Sequence, residues 1–163
     1  MKRCQRAFTM LEMLAVVAVV AVLATLALPS FQAGVVRRQV LDAAPLVDVA
    51  KLPVATAWAA TQVLPADNAA AGLPAPDRMV GNHVSAVTVE NGAIHVTFGN
   101  GAHGILAGRI LTFRPAVVED APVVPVAWVC GHAAVPANMV AKGENRTSIP
   151  AAYLPINCHP PAP

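Results

Sequence analysis

The chain opens polar for seven residues and then runs apolar for twenty-one. Residues 1–7 (MKRCQRA) carry Lys2, Arg3 and Arg6, whereas residues 8–28 hold a single ionisable side chain, Glu12. At about 1.5 Å per residue, a helix of that length spans roughly the 30 Å hydrocarbon core of a bilayer. The pattern therefore predicts one membrane crossing. Lys2, Arg3 and Arg6 on one side against Arg37 and Arg38 on the other bias the N-terminus modestly towards the cytoplasm.

The helical period continues beyond the apolar run, over residues 31–58. Val36, Val40, Ala43, Val47 and Ala50 fall on one side, and Arg37, Arg38, Asp42, Asp48 and Lys51 fall mostly off it. Pro29, Pro45 and Pro53 each remove a backbone donor and crowd the preceding turn, so the helix is expected to kink or break near them. Residues 64–77 (LPADNAAAGLPAPD) have loop composition and no period.

Alternation then takes over. Residues 83–90 (HVSAVTVE) and 93–98 (AIHVTF) flank Asn91-Gly92, a dipeptide suited to a type I′ turn because both positions accept positive φ. A two-residue turn there sets Val87 opposite Val96 and Val89 opposite Ile94. These four and Phe98 share one face; Thr88, Glu90, His95 and Thr97 take the other. Further strands are predicted at 109–114, with Leu111 and Phe113 inward, and at 123–130, where Pro125 marks an edge or an irregular start. Three or four antiparallel strands on a long N-terminal helix make an α+β fold with one core. The pattern divides the chain into a leader (1–7), a membrane helix (8–28), an extramembrane helix (29–63), a connecting loop (64–82) and a sheet region (83–163).

Composition agrees. The chain is 56% hydrophobic with mean hydropathy +0.56, too apolar for an ordinary soluble domain. The formal charge of +2 comes from the first seven residues; beyond them eight basic groups face nine acidic ones, so binding to nucleic acid is not indicated. Gly99, Gly101 and Gly104 match the spacing of a dinucleotide fingerprint, but turn and strand follow where that chemistry needs a helix N-terminus. Asn145-Arg146-Thr147 is a glycosylation sequon in a solvated loop, and such triplets are common by chance. The five histidines lack ligand spacing and the three serines lack a nucleophile setting. No catalytic group, cofactor or metal site emerges, so an enzyme is the weakest reading.

A secretory signal places its small-residue cut after the apolar stretch, whereas here the small residue, Ala7, precedes it. A charged leader ending at Ala7, then Phe8-Thr9-Met10-Leu11-Glu12 and an apolar run to Pro29, resembles the prepilin leader of type IV pilins. The rest of the chain resembles the same family: a Val-Ser-x-Val-x-Val-x-Asn-Gly hairpin, the strand Trp128-Val129-Cys130, and the ending Tyr153-Leu154-Pro155-Ile156-Asn157-Cys158. Two departures are small ones, Ala7 for the usual Gly and Met10-Leu11 for Leu-Ile.

The resemblance implies that a prepilin peptidase cuts between Ala7 and Phe8 and methylates the new amine of Phe8. It implies a single-pass inner-membrane precursor with its C-terminal domain in the periplasm, handed by an assembly platform into an extracellular fibre of this and other pilins. Glu12 would then pair with the Phe8 amine of a neighbouring subunit; in an arbitrary membrane helix such a carboxylate would snorkel to the headgroups. Fibre functions of the family include twitching motility, adhesion and DNA uptake. A minor pilin or a secretion pseudopilin would share the same N-terminus, and a membrane-anchored binding domain that never polymerises is a reading from another class.

With Cys4 in the leader, Cys130 and Cys158 remain as an even pair in an oxidising compartment. A disulfide between them would close a loop of about 29 residues, worth about 3.5 kcal/mol on the chain-entropy model, and would tie down an otherwise loose surface loop. The alternative is two buried thiols.

Overall fold

The computed structural model describes the backbone of residues 9–161 and, within them, all side chains except those of 26–32. The chain divides into two units, Met1–Val35 and Val36–Pro163. Helix α1 is Met10–Leu41 and α2 is Ala44–Thr61; the strands are β1 (Val84–Glu90), β2 (Ala93–Phe98), β3 (Ile110–Val117), β4 (Ala127–Cys130) and the two-residue β5 (Val140–Ala141). The sheet is antiparallel in the order β1-β2-β3-β4, with β5 also on β3.

In the second unit the expected helical row is the buried one. Val36, Val40, Ala43, Val47, Ala50, Val54 and Trp58 all face the core, at the three- and four-residue steps that keep one helix face inward. The prolines act differently from one another. Pro45 falls in the first turn of α2, just after the break at Asp42 and Ala43, where its missing N–H would have no intrahelical partner anyway. The Asp42 carboxylate at that break lies 3.3 Å from His83 Nδ1, just ahead of β1. Pro53, by contrast, does not break α2, which runs through it. The carbonyl that loses a donor there belongs to Val49, an exposed residue, so the missing bond falls on the side away from the core.

The hairpin has the predicted register, Val87↔Val96 and Val89↔Ile94, and Asn91 and Gly92 both have positive φ, 49° and 82°. One irregularity repairs the pattern. An unbroken ladder would set Ser85 opposite Phe98, but a bulge between Val84 and Ala86 brings Val84 to that place and buries it. Ser85 instead hydrogen-bonds the Thr97 carbonyl and fills the space where Gly99 has no Cβ. That contact accounts for one glycine of the apparent fingerprint, and turn and β3 follow it rather than a helix.

Two strand boundaries differ from expectation. β4 is only Ala127–Cys130, residues 119–126 being turn and irregular chain, whereas β3 runs past Arg114 through Pro115 to Val117. Proline is tolerated because the Pro115 carbonyl accepts from Lys142 N–H (2.8 Å), which puts its absent N–H on the side where β2 has ended and only β5 begins.

The connecting loop is not a free surface strap. Asn68 is 4% exposed. Its Nδ2 donates to the carbonyls of Pro74 and Val87, both at 2.9 Å, and its Oδ1 accepts the Val89 N–H at 2.6 Å. Asn91 and Gly92 N–H groups donate to Ala66 and Pro65 carbonyls. One amide side chain thus occupies two of the outer backbone groups of β1, the Val87 carbonyl and the Val89 N–H, on an edge strand.

Cys130 and Cys158 form a disulfide, with Cα atoms 4.6 Å apart. The enclosed chain lies against the sheet, held by its own hydrogen bonds as well as by the bridge. β5 extends the β2 side of β3, while Ser148 exchanges hydrogen bonds with Ile110 beyond the end of β4: Ser148 N–H to the Ile110 carbonyl, and Ile110 N–H to Ser148 Oγ. Between them residues 143–146 cross the sheet face opposite the helices, with Gly143 so close to Ala93 that a Cβ would meet it at 2.6 Å.

Two outcomes follow. Asn68→Ala strands a buried Val89 N–H and Val87 carbonyl, and should cost about 2–3 kcal/mol in urea unfolding of the detergent-solubilised chain; an unchanged midpoint would show the stitch to be ornamental. Replacing Cys130 and Cys158 together by Ser should cost about 2–5 kcal/mol and open 142–148 to protease before the hairpin. Equal cleavage rates of both segments would count against the bridge as the loop's anchor.

Candidate assembly helix and the covered sheet face

The expected site residues fall into two groups. Ala7 and Phe8 lie outside the described residues. Glu12 lies in the first turn of α1, where its N–H meets the Thr9 carbonyl (3.0 Å) and Thr9 Oγ1 (3.3 Å). Thr9 therefore caps the helix, and Thr9-Met10-Leu11-Glu12 is the Thr-x-x-Glu arrangement of a capping box. It also places a carboxylate at the positive end of the helix dipole, which favours it there.

Beyond Glu12, residues 13–24 present no polar side chain. Met10, Leu11, Met13, Leu14, Val16, Val17, Val19, Val20, Val22 and Leu23 are between 49% and 88% exposed, on all sides of the helix. A helix apolar all round has no stable place in water and needs lipid or other helices around it. Glu12 shares a face with Ala15, Val16, Val19 and Val20, so its carboxylate stands at the end of an apolar strip. Among the described residues no helix is long and apolar enough to cross a membrane; the predicted span, 8–28, includes Phe8 and the side chains of 26–28, which are not among them.

In the second unit, Cys130 and Cys158 sit at the junction of sheet and C-terminal chain. Gly131 N–H donates to the Thr112 carbonyl (2.8 Å), and His132 N–H to the Cys158 carbonyl (3.0 Å). Asn145, the sequon residue, is engaged: Nδ2 donates to the Gly131 carbonyl (2.8 Å) and Oδ1 accepts Thr147 N–H (3.1 Å). Helix α1 is tied to the same region, since the Arg37 guanidinium donates to the Ala152 carbonyl at 2.8 and 3.0 Å. Gln39 Oε1 accepts His103 N–H.

The polar face of the hairpin is more buried than alternation alone implies. His95 is 3% exposed and Thr112 is fully buried. Arg146 lies over them, paired with Glu90 at 2.6 Å and with Glu144 at 3.1 Å. Sequence offered no local sign of this cover, because Arg146 meets Glu90 across more than fifty residues of chain.

Comparison with known proteins agrees with this division. The family model for pilin, a bacterial filament protein, matches residues 36–159, and the prokaryotic N-terminal methylation motif matches residues 2–28. The type IV major pilin protein PilE1 of Neisseria gonorrhoeae is 30% identical over 164 residues, covering 97% of this chain and 89% of its own length. The fimbrial protein EcpC of Eikenella corrodens is also 30% identical, over 163 residues, covering 97% of this chain and 93% of its own. The pilin family is one of structural proteins, and this chain, matched over its sheet unit and its apolar N-terminus alike, belongs to it.

Proposed function

We propose that the chain is the precursor of a type IV pilus subunit that polymerises through its N-terminal helix into a surface fibre serving twitching motility, adhesion or DNA uptake. The observation that carries this reading is the start of α1, apolar on every side over residues 13–24 with one carboxylate, Glu12, ahead of them, in a chain of the pilin family. Before assembly, residues 8–28 cross the inner membrane once, the leader facing the cytoplasm and residues 36–163 the periplasm. A prepilin peptidase removes residues 1–7 between Ala7 and Phe8 and methylates the Phe8 amine. An inner-membrane assembly platform then passes the helix from lipid to the helices of other pilin subunits.

Glu12 supplies register in that exchange. In lipid its carboxylate lies near the interface, where the cost of the charge is modest; among packed helices it needs a cation, and the Phe8 amine of a neighbour is one. A subunit seated out of register leaves two unpaired charges in an apolar core, which penalises that position by several kcal/mol. Correct seating alone pairs them.

Processing is tested by mass. Ala7→Trp should leave an uncut, unmethylated precursor in the membrane, whereas the unaltered chain should yield a methylated N-terminal Phe8 peptide; a mature terminus beyond Leu28 would end the pilin reading of residues 8–28. Assembly is tested by substitution at Glu12. Glu12→Ala should insert, be cut and form its disulfide, while the ratio of sheared-fibre to membrane-bound subunit falls about tenfold or more, with Val17→Ala as the neutral comparison. Equal ratios would reduce Glu12 to a helix-capping residue.

A further inference from the structure

The buried histidine on the covered face of the sheet is idle in the assembly reading, yet its surroundings are built for one protonation state. His95 Nδ1 lies 3.0 Å from Thr112 Oγ1, and its Nε2 is buried with no hydrogen-bond partner. The same Thr112 oxygen accepts the backbone N–H of Arg146 at 3.0 Å, and Thr112 N–H donates to Thr147 Oγ1 at 3.1 Å. One hydroxyl therefore joins the histidine to the crossing segment.

A neutral ring fits. The tautomer that fits carries its proton on Nδ1: the ring donates to the Thr112 oxygen, which also accepts from Arg146, and Nε2 keeps only a dry lone pair, whereas the other tautomer buries an Nε2–H with no acceptor. An imidazolium does not fit, because protonating Nε2 places both a donor without an acceptor and a charge in a dry site. The charged groups around the ring are Arg146 and Glu144 from the segment and Glu90 from β1. Arg146 opposes a second positive charge. The two carboxylates favour it, but both are already engaged by Arg146.

We infer that His95 is a pH-sensitive release for residues 143–148: protonation of its ring loosens this segment from the sheet, while the Cys130–Cys158 bridge keeps the loosened chain tethered at both ends. Burial and then Arg146 hold the ring below its ordinary value of 6.5. A histidine whose folded value is depressed binds its proton more readily when the cover opens, so closure is fully stable above about 6.5 and weakens as pH falls below it, down to the folded value. Within that window the opening constant rises up to about tenfold per pH unit. The inner face of the sheet, packed on the helices, carries no histidine and is unaffected.

Hydrogen exchange read by mass spectrometry on the full chain in detergent tests this at about pH 7.5 and about pH 5.5, each corrected for intrinsic exchange chemistry. Residues 143–148 should lose protection at the lower pH, by up to about tenfold, while 94–98 keep theirs, and His95→Gln should abolish the difference. A second variant retains the ring: Arg146→Gln removes the opposing charge and frees Glu90, so the His95 titration followed by NMR should move upward. Equal protection of 143–148 at both pH values, a pH effect surviving in His95→Gln, or an unmoved titration in Arg146→Gln would overturn the inference.

Discussion

One helix face has to cover one sheet face, and most of the second unit follows from that constraint. The row from Val36 to Trp58 is Val and Ala apart from its terminal Trp, so the helix lies close to the sheet and the larger side chains come from the sheet: Ile94, Phe98 and Leu111, all essentially inaccessible. The row keeps its phase across the break at Asp42 and Ala43, stepping from Val40 to Ala43 to Val47. Pro45 therefore interrupts hydrogen bonding without turning the apolar face away. The bulge at Ser85 serves the same end, since without it a serine would face Phe98 in the core.

What could be read from sequence was what neighbouring residues decide. Asn91-Gly92 fixes its own turn, the turn fixes the register, and alternation then assigns each face, so the hairpin was legible from Ala86 to Thr97 but the bulge at Ser85 was not. The core-facing row of the helices was legible for the same reason. Asn68, Pro115 and Arg146 were not. Asn68 sits in a run of Ala, Asp and Pro, and its partners Val87 and Val89 lie about twenty residues away. Pro115 fits inside β3 only because β2 ends and β5 begins beside it, and both of those strands lie more than fifteen residues away in the chain. Glu12 was read for its charge, while the cap contributed by Thr9 one turn earlier went unremarked.

The two units make opposite demands on their surroundings. Residues 36–163 bury their apolar row internally and need no partner for it, whereas among the described residues of the first unit the helix buries none of its large side chains by itself. Such a segment is stable only in lipid or among its own kind, which makes its environment a part of its structure. The single carboxylate sets a limit on that environment: it tolerates an interface or a cation but not an apolar interior alone.

The two faces of the sheet are held by different physics. Inside, burial of hydrocarbon does the holding, and it tolerates exchange of one aliphatic residue for another of similar volume. Outside, the cover is held by backbone donors and acceptors (Lys142, Arg146 and Ser148 N–H, the Gly131 carbonyl) and by a few short polar side chains. Each such bond is worth about 1 kcal/mol net, too little singly to order a loop of this length. The disulfide lowers the entropy lost on ordering it, so that small polar terms suffice. That arrangement leaves the cover responsive to one proton where the helix-packed face is not: a depressed histidine shifts a balance made of terms about its own size, and a core held by many buried side chains would absorb the same change without opening.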